Sequence, residues 1–415
     1  MEMRKLLIAF VALMIVACGI SCDVQAQRVK GKKNRVTAVK KNVAKNAKKK
    51  NASKVAPAAV SNENEERKYV NHFDGSITIA MTGDIMTGSI LPTPELPPNG
   101  GRDIFIDCAE LLRNADVACG NLEGVLGDSG KTRKSPGPLS FSFMMPTKSV
   151  NLFVDAGYDF LGIANNHIND FYPVAIESTI KTLRDNGIGV AGTKDCETSI
   201  REINGVKYGF CAFGHESYTL RTQDHATVKR IVKKLRKECD IVIVCFHGGS
   251  EGISERHLPH GTEYFHGADR GNLREFAHLC IDSGADVVYG HGPHVCRAME
   301  LYKGHLIAYS LGNFATPRGM KLHAQTAYAP VLMVELNGEG KFQGGQIHPF
   351  IQQRDKGPRV DKLGAVIKEI KILSEEDIKD NDLIITDEGQ LLSKSLMKST
   401  KSKTNIIEGN NEGNN

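Results

Sequence analysis

Between residues 77 and 313 short β-branched runs alternate with helix-like stretches, and this alternation constrains the chain more than any other feature. The runs are "SITIAMTGD", "ADVACGNLE", "DFLGIANNH", "KYGFCAFG", "CDIVIVCFHGG", "ADVVYGHG" and "HLIAYSLGNF". Between them lie "DIFIDCAELLRN", "YPVAIESTIKTLRDNG", "DHATVKRIVKKLRKE" and "GNLREFAHLCIDSG", which read as helices. Strand after helix predicts an α/β domain whose strands are covered on both faces. "YAPVLMVELN" and "GGQIHPFIQ" follow without helices and predict a second, more antiparallel half. Residues 355–395 are charged and helix-prone, with one strand candidate in "DLIIT".

The strands share a way of ending. Their C-terminal tips carry Asp84; Asn121 and Glu123; Asn165, Asn166 and His167, followed by Asp170; His247 and Glu251; His291 and His294; and, after "IAYSLG", Asn313. If the strands are parallel, these tips fall on one edge of the sheet, where open α/β sheets hold ligands. Taken singly, each has an ordinary explanation. Asp84 after a strand suits an Asx turn, Asn166 and His167 suit the cap of a helix starting near Tyr172, and His247 suits a tight loop. The strongest single signal is Gly-His-Gly-Pro-His at 290–294, two imidazoles around a rigid proline. Together the tips predict a metal site. Imidazole and carboxylate suit manganese, zinc or iron, whereas calcium favours an all-oxygen cage. Two such cations about 3.5–4 Å apart can clamp a tetrahedral transition state. Glu123 or Asp84 is suited to bridge them, and Asp170 to orient His167.

The ends of the chain differ from its middle. Residues 1–26 have a basic start, an apolar core and small residues, the order of a signal peptide. Cleavage after "VQA" competes with lipidation at Cys18 in "IVAC" and with a retained membrane anchor. The protein is expected to be exported, periplasmic or associated with the cell envelope, touching membrane only through an N-terminal lipid or an uncleaved signal. Residues 27–75 are expected to form a disordered basic linker, with twelve Lys/Arg and no acid between Gln27 and Asn62. Without that stretch and the leader, 39 basic residues face 46 acidic ones. An acidic fold without a recognised motif argues against nucleic acid as a partner. The expected domain spans 76–352, with a C-terminal appendage at 353–397 and a disordered tail at 398–415. Outside the leader the eight cysteines show no CxxC pair, and Cys119, Cys211 and Cys245 sit in apolar runs as small hydrophobes.

The ordered series "GDIM", "GNLE", "ANNHIND", "HGGSE", "GHGPHV" and "YSLGNF" resembles the bacterial capsule-synthesis CapA family, the poly-γ-glutamate synthesis (PgsA-type) proteins, over roughly residues 77–350. That family resembles the calcineurin-type metallophosphoesterases. The resemblance implies a four-layer α/β/β/α sandwich with a dimetal centre on the strand tips. It implies metal ligation by Asp84, Glu123, Asn166, His247, His291 and His294, and action of His167 on the leaving group. Asp170, Glu251 and Asn313 would support the ligands or the substrate. Three positions depart from the pattern: Met86 stands where a second ligand follows the first aspartate, Glu123 of "NLE" stands where the bridging aspartate is usual, and Gly248 stands where CapA relatives carry tryptophan.

Two functions follow from these features. One is a metal-dependent hydrolase of a capsular polymer, cleaving a γ-glutamyl or phosphoester bond. The other is a non-catalytic component that binds an anionic envelope polymer and assists a membrane synthase or exporter.

Overall fold

Nine residues, Ile77–Ile85, form the central strand β1, and all but Thr78 are buried. A strand apolar on both faces needs cover on both, and the rest of the chain supplies it. A computed structural model describes residues 75–399, apart from 136, 138 and 139. The signal segment with Cys18, nearly all of the basic linker and residues 400–415 lie outside the described residues.

Fifteen strands make the two main sheets. They are β1, β2 (Val117–Leu122), β3 (Phe160–Gly162), β4 (Gly189–Ala191), β5 (Thr198–Ile203), β6 (Val206–Phe213), β7 (Ile241–His247) and β8 (Val287–His291). There follow β9 (Met299–Tyr302), β10 (His305–Ala308), β11 (Asn313–Ala315), β12 (Val331–Leu336), β13 (Phe342–His348), β14 (Leu383–Ile385) and β15 (Gln390–Ser393). The first sheet runs β14-β15-β13-β12-β1-β2-β3-β4, with β11 also pairing β1; the second runs β9-β10-β8-β7-β6-β5. In the first, β1 to β4 are mutually parallel and β12 joins β1 antiparallel. In the second, β6, β7, β8 and β10 are parallel, with β5 and β9 antiparallel at the edges.

The sheets face each other. One apolar cluster lies between them, joining Ile79, Met81, Cys119 and Phe160 to Phe210, Ile243, Cys245 and Tyr289. A second covers the outer face of the first sheet, where Ala118, Leu161 and Val190 meet Leu112, Phe153 and Leu183. These last come from α1 (Ala109–Arg113), α2 (Val150–Ala156) and α3 (Tyr172–Asp185). A third covers the second sheet, where Val242, Val244 and Val288 meet Val228, Ile231, Phe276 and Cys280 of α4 (His225–Glu238) and α5 (Leu273–Asp282). Helix, sheet, sheet, helix is the four-layer order that the resemblance implied. Burial at 228, 231, 232 and 235 gives α4 its single apolar stripe. Asp224 and Asn272 cap α4 and α5 by accepting from the backbone N–H of Thr227 and Glu275.

Three expectations change. The polar tips do not share one sheet: β1 to β3 belong to the first and β7 and β8 to the second. The late antiparallel strands form no half of their own, because β12 and β13 extend the first sheet beside β1. "DIFIDCAELLRN" is helical only at its end, since Arg359 takes the carbonyls of Asp103 and Ile104 as hydrogen-bond acceptors.

Candidate metal centre

Strand register places the site. Asp84 of β1 is level with Asn121 of β2 on one side and Asn313 of β11 on the other. In the second sheet His291 of β8 is level with His247 of β7. Both sheets present these tips at the same end, and side chains meet across the gap. His294 Nδ1 lies 3.0 Å from Asp84 Oδ2 and His291 Nδ1 lies 3.3 Å from Asp84 Oδ1. Glu123 places Oε2 3.3 Å from His247 Nε2 and Oε1 3.8 Å from His167 Nε2. Ligand atoms of Asp84, Glu123 and His247 lie within 4.8 Å of one another.

The two carboxylates are held by amides. Asn121 Nδ2 donates to Asp84 Oδ1 at 2.8 Å and to Glu123 Oε2 at 2.7 Å. Its own oxygen accepts from Asn165 Nδ2, which also donates to the Leu122 carbonyl. Asn165 Oδ1 then accepts from the backbone N–H of His167. His167 Nδ1 lies 2.8 Å from Asp170 Oδ2, close enough for the carboxylate to orient the ring. Glu251 stands farther out: it pairs with Arg270 at 2.9 Å and lies 3.9 Å from His294 Nε2. Asn313 Oδ1 lies 3.1 Å from His294 Nδ1, and its amide donates to the His294 and Thr326 carbonyls. His294 itself has φ of 58°, an unfavourable left-handed conformation for a non-glycine residue, at the residue that joins the sheets.

Several buried atoms here have no hydrogen-bond partner: Glu123 Oε1 and both ring nitrogens of His247 and His291; the neighbouring Asn166 Oδ1, beside His167 in sequence, has none either. Buried polar atoms are normally satisfied, so a group of unsatisfied oxygens and imidazole nitrogens in one place points to a ligand that accepts lone pairs. The donors are mixed nitrogen and oxygen, which fits a borderline divalent cation. Burial pushes the His247 imidazole below its ordinary value, opposed by Glu123 and Asp84, and so favours the neutral form that ligates metal. Burial alone would raise the Asp84 carboxyl, but the His291 and His294 imidazoles beside it outweigh burial and hold the group ionised.

Residues outside the expected set also belong here. Asn121 and Asn165 were visible as tip residues, but their role as spacers depends on contacts between strands. His215 follows β6 and is buried, with Nε2 3.4 Å from Glu216 Oε1 and its ring 6.1 Å from that of His247. Carrying the tip rule one residue beyond "KYGFCAFG" finds it. Met86 is wholly buried. Gly248 has no room for a side chain, because a Cβ there would lie 2.7 Å from the Arg270 carbonyl oxygen and 2.9 Å from Leu273 Cδ2.

A sequence model of the bacterial capsule synthesis protein PGA_cap family matches residues 78–318. The chain belongs to this family. The capsule biosynthesis protein CapA of Bacillus anthracis is 26% identical over 263 residues, covering 59% of this chain and 60% of that protein. The PGA biosynthesis protein CapA of Bacillus subtilis (strain 168) is 24% identical over 295 residues, covering 67% and 73%. The chain therefore spans about three fifths of the length of the Bacillus anthracis relative. Among solved structures, the 5′-nucleotidase precursor from Thermus thermophilus aligns with a TM-score of 0.40 and 11% identity, over 71% of this chain and 58% of that one. Every residue assigned to the site above lies within the matched span of the family.

Proposed function

We propose that this family member is an exported, metal-dependent hydrolase that processes an anionic envelope polymer of the poly-γ-glutamate type beside a membrane synthase or exporter. One observation carries the reading: buried Glu123, His247 and His291, each with an atom that no hydrogen bond satisfies, meet from two sheets around Asp84. Asp84, Glu123, Asn166, His247, His291 and His294 would hold two divalent cations of the manganese, zinc or iron class. Such cations supply Lewis acidity and a water acidic enough to ionise near neutral pH. The chain's own residues do the rest. Asp84 and Glu123 bring negative charge, Asn121 holds their spacing, and Asp170 fixes the His167 ring through Nδ1. His167 Nε2 then faces the Glu123 side, where in the doubly protonated ring it gives a proton to the leaving group.

A second reading, a polymer-binding accessory without catalysis, draws on Met86. Buried and apolar, it leaves the Asp84 side one donor short of the phosphoesterase pattern. Purified protein supplied with manganese or zinc and offered γ-glutamyl peptides and phosphodiesters decides between the readings. Cleavage of either class supports the hydrolase, and inertness to both with metal bound removes it.

A further inference from the structure

Asp170 does more than orient His167. Its carbonyl accepts from the Arg133 N–H at 2.7 Å, its Oδ2 accepts from the Phe143 N–H at 3.0 Å, and its Oδ1 pairs with Lys134 Nζ at 2.6 Å. The flanks 131–135 and 140–143 are thus both fastened to the residue that holds His167. From His167 the aromatic rings step outward. Phe143 packs on the imidazole at 4.5 Å, and Phe141 stacks on Phe143 at 6.4 Å with half its surface exposed. On the other flank the Arg133 guanidinium lies 5.5 Å over the Tyr172 ring. Tyr172 is 49% exposed and has φ of 69°, a left-handed conformation that bulky residues rarely adopt. Strain of this kind persists where surrounding structure enforces it, and it gathers at functional sites. Lys131 and Arg133 are exposed cations on the same flank. The nearby carboxylates have partners of their own: Asp128 accepts from Thr147 N and Oγ1, and Glu216 faces His215, Arg270 and Lys134.

We propose that Lys131, Arg133, Phe141 and Tyr172 form a rim that grips a polycarboxylate chain beside His167. The inference rests on the polymer reading above and adds where the polymer lies and what holds it. Carboxylates pair with the two cations, while the methylenes between them lie on the exposed rings. A polyphosphate would satisfy the cations but offers no apolar surface to the aromatics.

The test uses the full chain, loaded with manganese, and labelled poly-γ-glutamate, with polyphosphate of equal charge as the second probe. The variants are Lys131→Ala/Arg133→Ala and Phe141→Ser/Tyr172→Ala, each checked for unchanged metal content and melting temperature. The charge variant should bind poly-γ-glutamate about tenfold more weakly at low salt, with the difference shrinking as salt rises. The aromatic variant should lose roughly threefold to tenfold at either salt and leave polyphosphate binding unchanged. Wild-type binding of poly-γ-glutamate that survives both double substitutions overturns the rim alone. Equal aromatic dependence for polyphosphate overturns the polycarboxylate assignment. A wild-type protein that binds no poly-γ-glutamate overturns the rim together with the polymer reading on which it rests.

Discussion

His294 sets Nδ1 3.0 Å from Asp84 Oδ2, joining the loop after β8 in the second sheet to the end of β1 in the first. The pair is 210 residues apart in sequence. Burial disfavours a charged His294, but its hydrogen bond to Asp84 outweighs this and raises the imidazole to about 9. Asp84→Ala removes the carboxylate that both His294 and His291 approach in a buried site. Loss of one partner from such a pair costs about 3–5 kcal/mol. Denaturant unfolding of the metal-free protein should show a drop of that size, and a drop below about 1 kcal/mol would contradict the pairing.

Asn121 separates two carboxylates by donating to both. Asn121→Asp replaces the donor with a third negative charge. Metal-free Asn121→Asp should melt well below wild type, by roughly 2–4 kcal/mol of stability, and should recover on adding manganese or zinc. Equal melting of the two metal-free proteins would show that the amide is not what holds the carboxylates.

Asp170→Asn keeps the size of the side chain but weakens its hold on His167 Nδ1. Supporting partners of this kind are worth about tenfold to a hundredfold. Hydrolysis of the responsive substrate should fall by that factor with metal content unchanged. Loss of metal instead would place Asp170 in cation binding.

Gly248→Trp introduces the side chain that the resemblance to CapA proteins implies at this position, yet the Arg270 carbonyl and Leu273 occupy its space. The substitution should destabilise by roughly 2–3 kcal/mol or more, measured by thermal melting. A variant as stable as wild type would mean that the Arg270 backbone yields.

Asp286 gives a pH signature far from the site. Burial pushes its carboxyl up to about 7, against the opposing Arg236 guanidinium 2.7 Å away. Unfolded, it ionises near 4, so between about pH 4 and 7 the folded state binds the extra proton. Its contribution to stability is therefore present at acid pH and lost as pH rises through 7. Asp286→Asn should lose that slope, so that its stability stays flat between about pH 4 and 7 where that of wild type falls. Parallel stability curves would show that Asp286 does not titrate there.

Much of this was legible from residues alone, and the limits have physical causes. Alternation and β-branching marked the strands because a buried parallel strand must be apolar on both faces. The polar tips marked the site because ligating atoms cannot sit inside such a strand. Which sheet each tip joins was hidden, since register between β1 and β11, or β7 and β8, depends on contacts across the chain. Asn121 and Asn165 stand among the polar tips, but their role as spacers shows only through their partners on other strands. Arg359 shortens α1 from some 250 residues away, beyond any local pattern. The flanks 131–135 and 140–143 lack periodicity, and only contacts with Asp170 and His167 show where they belong.

The central claim is that these side chains hold cations, and metal content tests it most directly. The full chain, purified, reloaded with manganese or zinc and freed of excess, should retain two divalent ions per molecule. Glu123→Gln/His247→Ala, treated in the same way and shown to be folded, should retain none. A wild-type protein that holds no metal, or a variant that holds as much as wild type, would contradict the account.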